Sequence, residues 1–130
     1  MKTQESREMY LETIYILKKT REHVRAKNIC EYMKYSKPSV SRAMGLLRNN
    51  NLITVDHQGY IELTESGLAL AKKILERHEV LTMFLTQIGI DPIIASKDAC
   101  RIEHVISDET LIGIKNCLKS GIALKNNTDK

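Results

Sequence analysis

Apolar residues recur at helical spacing through most of the 130-residue chain. Between Ser6 and Lys19, Met9, Ile14, Tyr15 and Leu17 stand near one face, and Tyr10, Leu11 and Ile16 widen the stripe, which predicts a first helix of roughly four turns. Ile29, Cys30 and Met33 give a second stripe over Ala26 to Tyr35. Ser36-Lys-Pro38 interrupts it, and the proline fits the first position of a third helix with Ser36 or Lys37 just before. Val40, Met44 and Leu47 are the buried stripe of that helix, which leaves Ser39, Ser41 and Arg42 on its outer, N-terminal side.

The period then changes. Leu52-Ile-Thr-Val55 and Tyr60-Ile-Glu-Leu63 are β-rich runs joined by Asp56-His-Gln-Gly59, a polar connector ending in glycine, and together they predict a hairpin. Thr64-Glu-Ser-Gly67 caps a fourth helix. Its stripe of Leu68, Ala71, Ile74, Leu75, His78 and Leu85 runs toward Gly89, a length of roughly 22 to 24 residues or about 35 Å. Asp91-Pro92 opens a fifth helix reaching about Val105, and Ser107-Asp-Glu109 caps a sixth with Leu111, Ile112, Ile114, Cys117 and Leu118 on its apolar face. The polar end is expected to be a disordered tail over 121–130. Two short helices, a tight turn and a hairpin directly behind them make a winged helix-turn-helix over 1–72, and an all-helical domain follows over 73–120. The fold class is therefore mainly α.

Composition agrees, with one Phe, no Trp and two Pro, a mix that favours helices over a sandwich or barrel. Charge adds something that periodicity does not. Residues 1–75 carry 13 Lys and Arg against 8 Asp and Glu, whereas 76–130 carry 7 against 8, so the net +4 of the chain belongs to its first half. Lys18 to Arg48 alone hold nine basic residues and two acidic ones, which suggests a polyanion partner, with a merely solvated surface as the plain alternative. Cys30, Cys100 and Cys117 are widely spaced and form no CxxC pair, so a disulfide framework or zinc ribbon is not implied and a reducing cytoplasm fits. No apolar run of about 18 residues occurs and the N-terminus has no apolar signal region, so neither membrane spanning nor secretion is expected.

A recognition helix enters the major groove N-terminus first. On this chain Arg42 would donate to a guanine edge. Ser39 and Ser41 would reach phosphates or bases at the helix start marked by Pro38, while Lys27, Lys37 and Arg48 neutralise backbone charge. A second chemistry sits in Asp98-Ala-Cys-Arg-Ile-Glu-His104. If this stretch is helical, Cys100, Glu103 and His104 fall at i, i+3 and i+4 and share one face, a thiol, a carboxylate and an imidazole able to hold a transition metal. Taken singly, a lone cysteine is more often packing, a Glu-His pair a solvated edge, and Met9 or His78 core filler.

Glu8-Met-Tyr-Leu-Glu-Thr-Ile-Tyr15, Lys37-Pro-Ser-Val-Ser41, Leu63-Thr-Glu-Ser-Gly67, Arg77-His78 and Ala99-Cys-Arg-Ile-Glu-His-Val-Ile-Ser-Asp108 jointly resemble the diphtheria toxin repressor family of metal-dependent transcriptional regulators, in order over about residues 6–118. The resemblance implies a helical metal-binding and dimerisation domain after the winged helix. It further implies a cytoplasmic homodimer and a divalent metal that switches it into the form that binds a palindromic double-stranded operator. In iron-responsive members the primary metal site matches Met9, Cys100, Glu103 and His104. Manganese-responsive members have Asp and Glu at the Met9 and Cys100 positions and also use those of Glu12 and His78. The ancillary site of the iron-responsive members takes His78, but its other positions fall on Thr82 and Ser96, so that site is expected to be lost or replaced. The chain also matches a short, two-domain form without the SH3-like domain of longer members. Soft thioether and thiolate donors make Fe²⁺ the expected metal and Mn²⁺ the second. Two rivals remain at this point. One is a metal-independent winged-helix regulator sensing a small ligand or oxidant through Cys100. The other is a metallohydrolase using Glu103, disfavoured because the chain has no HExxH, nucleophile elbow or phosphate-binding glycine loop.

Overall fold

The computed structural model describes residues 4–121 and contains six helices and one two-stranded sheet in the order α1 (Gln4–Thr20), α2 (Ala26–Met33), α3 (Lys37–Asn49), β1 (Ile53–Val55), β2 (Ile61–Leu63), α4 (Glu65–Gln87), α5 (Pro92–Ile102) and α6 (Asp108–Ser120). It divides into two compact units between Lys73 and Ile74, inside α4. The tail expected over 121–130 lies outside the described residues, apart from Gly121.

In the first unit Leu11 and Ile14 of α1, Ile29 of α2, Val40 and Leu47 of α3, Ile53 and Ile61 of the hairpin and Ala71 of α4 form one buried core, joined by Val24 from the α1–α2 connection. The α2–α3 corner is tight because each helix ends locally. Lys34 takes the left-handed conformation at φ 60° and returns its N–H to Cys30 O, and the Ser36 hydroxyl accepts from Ser39 N. Ser36 is the cap, Lys37 opens α3 and Pro38 follows, one position later than the spacing suggests. The wing is the antiparallel pair β1–β2 in register Ile53↔Leu63, Thr54↔Glu62 and Val55↔Ile61. Ile61 N–H also donates to Val24 O at 2.7 Å, which ties the wing to the segment before α2.

Asp56 fastens the wing tip: its Oδ1 accepts from Gln58 N and Tyr60 N, both at 2.9 Å, and Gly59 supplies the positive φ of 84°. The Tyr60 N–H first, and the Gln58 N–H after it, hold the Asp56 carboxyl below its ordinary range. That turn is therefore fastened above the ordinary carboxylate range and loosens as pH falls through the lowered value.

The second unit has a smaller core of Ile74 and Leu81 of α4, Ala95 and Ala99 of α5 and Leu111 of α6. Its helices start as the sequence suggests. Asp91 accepts from Ile93 N and Ile94 N ahead of Pro92, and Ser107 accepts from Thr110 N. Among the described residues no helix is long and apolar enough to cross a membrane.

Candidate metal centre and nucleic-acid face

The sequence places Cys100, Glu103 and His104 on one helix, but α5 ends at Ile102 and the last two of these stand in the turn that follows. Arg77 of α4 holds that turn. Its Nη1 donates to Glu103 O at 3.1 Å and to Ile106 O at 2.7 Å, and its Nη2 donates to Asp108 Oδ1. The guanidinium thus supplies donors to carbonyls that lie outside any helix, between the end of α5 and the Ser107 cap of α6.

The turn aims its side chains inward. Glu103 is fully buried at 0% exposure and His104 is buried beside it. Glu103 Oε1 lies 2.9 Å from His78 Nδ1, within hydrogen-bond distance. His78 Nε2 faces the Ser96 hydroxyl at 3.4 Å. Glu103 Oε2 lies 3.3 Å from His104 Nε2 but makes no hydrogen bond. A buried carboxylate oxygen without a donor is costly, by about 1–3 kcal/mol or more for a charged group, unless a cation compensates it. The donor set of carboxylate and imidazoles fits a divalent transition metal. Cys100, one turn ahead of Glu103 on α5, is a half-buried thiol outside any disulfide.

The structure thus brings His78, Glu103 and His104 together within the second unit, with Ser96 at the edge. Met9 and Glu12 belong to the first unit, where they stand one turn apart on α1, both half-buried. Thr82 keeps a buried hydroxyl without a hydrogen bond. Arg77 is the residue whose role residue spacing misses. Its partners lie 26 to 31 positions away, and the one signal is an arginine directly ahead of His78 with an aspartate at the start of α6. Arg77→Met should leave the Glu103 and Ile106 carbonyls without their donor and destabilise the second unit by about 2–4 kcal/mol. Chemical denaturation measures it, and an unchanged midpoint would show that the guanidinium does not hold the turn.

The candidate nucleic-acid residues lie in the first unit. α3 buries Val40, Ala43, Met44 and Leu47, so Lys37, Pro38, Ser41, Arg42 and Arg48 remain exposed, as does Lys27 of α2. Ser39 is half-buried, and its hydroxyl accepts from Ser36 Oγ at 2.9 Å, so it serves the cap as well as any partner. Between α2, α3 and the wing runs a groove of about 370 Å³ with Met44, Val55 and Ile61 in its lining and Arg25, Lys27, Ser41 and Arg48 among its polar residues.

Comparison with known proteins gives the family of each half of the chain. Residues 2–63 match the family described as iron dependent repressor, N-terminal DNA binding domain, and residues 64–120 match iron dependent repressor, metal binding and dimerisation domain. An uncharacterised HTH-type transcriptional regulator of Methanocaldococcus jannaschii is 32% identical over 113 residues, 85% of this chain and 90% of that protein. The diphtheria toxin repressor of Corynebacterium efficiens is 36% identical over 103 residues, 78% of this chain and 45% of that protein. A solved manganese-dependent transcriptional repressor in complex with manganese superposes with a TM-score of 0.79 at 27% identity, covering 87% of this chain and 52% of that one. The chain therefore spans nearly all of the archaeal relative and about half the length of the other two.

Proposed function

Because the chain belongs to the iron dependent repressor family, whose members are metal-dependent DNA-binding transcriptional regulators and not enzymes, we propose that it is a repressor of metal-homeostasis genes activated by Fe²⁺. The observation that carries the metal reading is the buried Glu103 carboxylate, flanked by His78 and His104, with one oxygen lacking a hydrogen-bond donor. His78, Cys100, Glu103 and His104 are the ligands assigned from the second unit, and Met9 and Glu12 of α1 are assigned by their motif match. A bound divalent cation would neutralise the buried carboxylate and select one dimer geometry. Thiol and thioether donors favour Fe²⁺ over Mn²⁺, which prefers oxygen and nitrogen ligands.

Dimerisation with a second copy is supported by the apolar side chains the second unit leaves exposed, Met83, Ile88, Ile93, Ile94, Val105 and Ile112. The operator is a palindrome read by α3, with Arg42 on base edges, Ser39 and Ser41 on bases or phosphates, and Lys27, Lys37 and Arg48 on phosphates near the Pro38 helix start.

The test is operator binding by the reduced full chain, under anaerobic conditions at fixed salt, against Fe²⁺, Mn²⁺, Co²⁺ and Zn²⁺, with the palindrome recovered by selection from a random duplex pool. Fe²⁺ should activate at the lowest concentration, and Cys100→Ala or Met9→Ala should raise the Fe²⁺ requirement at least tenfold, the order seen when metal-site partners are removed. Binding unaffected by any metal would sink the reading. Equal activation of both variants by Fe²⁺ would remove the soft ligands from the assignment.

A further inference from the structure

Next to the recognition helix, the first unit holds a second basic concavity that the helix-turn-helix does not account for. Arg21, His23 and Arg25 from the α1–α2 connection, Lys27 and Asn28 from α2 and Tyr60 from the wing line a cavity of about 230 Å³. That is below the usual size of a pocket for a drug-sized ligand but ample for a phosphate group and its sugar. The cavity has a fixed floor. The His23 ring stacks on Tyr60 with centroids 4.0 Å apart and planes 5° from parallel, and the Arg25 guanidinium lies 4.8 Å from the Tyr60 centroid.

Tyr60 is itself held by its N–H to Asp56, and the Arg25 N–H is held by Asn28 Oδ1 at 2.9 Å, so the backbone that carries the ring and the backbone that carries the cation are both anchored. Among the described residues no carboxylate pairs with Arg21, Arg25 or Lys27. The nearest acid to His23 is the exposed Glu22, whose Oε1 is 3.9 Å from Nε2, and the wing's Glu62 is engaged by Lys18 at 2.7 Å. Uncompensated cations around a planar stacked floor are arranged for an anion with hydrogen-bond acceptors on several sides. Arg25 and Lys27 also line the groove shared by α3 and the wing, so the two concavities have these two cations in common.

We propose that this pocket is a phosphodiester clamp, in which Arg21, His23 and Arg25, backed by Tyr60, grip the duplex backbone beside the segment read by α3. The proposal deepens the DNA-binding reading and rests on it, but it needs neither metal nor operator sequence, since backbone contacts act on any duplex. The test is therefore binding of a mixed-sequence duplex by the full chain as a function of salt. The slope of log K against the logarithm of salt concentration falls by about 0.9 for each phosphate no longer neutralised, so disabling one clamp on each protomer of a dimer lowers it by about 2. Arg21→Gln/Arg25→Gln should show at least that change and bind on the order of tenfold to a hundredfold more weakly at 0.1 M salt.

Lys72→Gln/Lys119→Gln removes the same charge outside the pocket and should leave the slope alone. Equal losses in the two double variants would overturn the clamp in favour of net charge. The His23 ring resonances separate the two sources of phosphate. They should move with duplex, with inorganic phosphate competing only weakly, and saturable binding of inorganic phosphate that leaves duplex binding intact would also overturn the proposal. A metal-insensitive chain that still shows the slope change would sink the metal-switch reading alone, whereas an unchanged slope in a metal-responsive chain would sink the clamp alone.

Discussion

Glu103→Gln should abolish metal-dependent stabilisation while leaving the metal-free chain at least as stable as the parent. The substitution keeps the shape and removes the charge. The carboxylate is fully buried, with His78 Nδ1 2.9 Å from Oε1 and no hydrogen bond to Oε2. An amide can still accept at the first position and does not carry the desolvation cost of a buried ion. With metal the comparison reverses. A ligand that binds only the folded chain adds about 2.7 kcal/mol at a hundred times its Kd, and the variant should lose nearly all of that increment. Thermal unfolding with and without Fe²⁺ or Co²⁺ reads both effects in one pair of curves. If Glu103 were only a structural residue, the variant would lose stability without metal and keep the metal-induced increment, the opposite pattern.

Gly67→Ala is expected to be the most damaging single-atom change in the first unit. A Cβ built at Gly67 would stand 2.0 Å from Leu52 O, a backbone atom that cannot swing aside. That same carbonyl accepts from Thr64 N at 3.0 Å, while the Thr64 hydroxyl donates to Asn51 O at 2.7 Å and accepts from Gly67 N at 3.0 Å. Adding a methyl therefore displaces the start of α4 from the strand-entry backbone and breaks its cap together. Overpacking costs typically 1–3 kcal/mol, and removal of the cap about 1 more, so a loss of about 3 kcal/mol follows. Gly113→Ala in α6, with no heavy atom within 4 Å of the new carbon, is the control and should gain up to about 1 kcal/mol from helix propensity. Denaturant midpoints of the two variants on opposite sides of the parent would bear this out; similar midpoints would not.

Sequence alone was sufficient wherever the physics is local. The stripe of α1, the Ser36 and Ser107 caps, the Asp91-Pro92 start of α5 and the Asp56-to-Gly59 hairpin turn each depend on residues within about one turn of one another, so their signals are contiguous in the chain. The family could be read for the same reason, since its motifs are short runs. The end of α5 was not legible. Helical spacing runs α5 to about Val105, whereas the helix ends at Ile102 and the turn after it is held by Arg77, 26 residues before Glu103.

The same holds for the pocket at Tyr60, which gathers Arg21, His23 and Arg25 from one segment and a wing ring from another, and for Gly67, whose lack of a side chain matters only because Leu52 O lies against it. Periodicity and capping determined which elements form and roughly where they begin, because those energies act between near neighbours. Tertiary structure decided how the turn after α5 is held, how the carboxylate and imidazoles face one another, and which cations share a concavity. Those outcomes follow from hydrogen bonds and packing between residues far apart in sequence, whose pairing the fold alone sets.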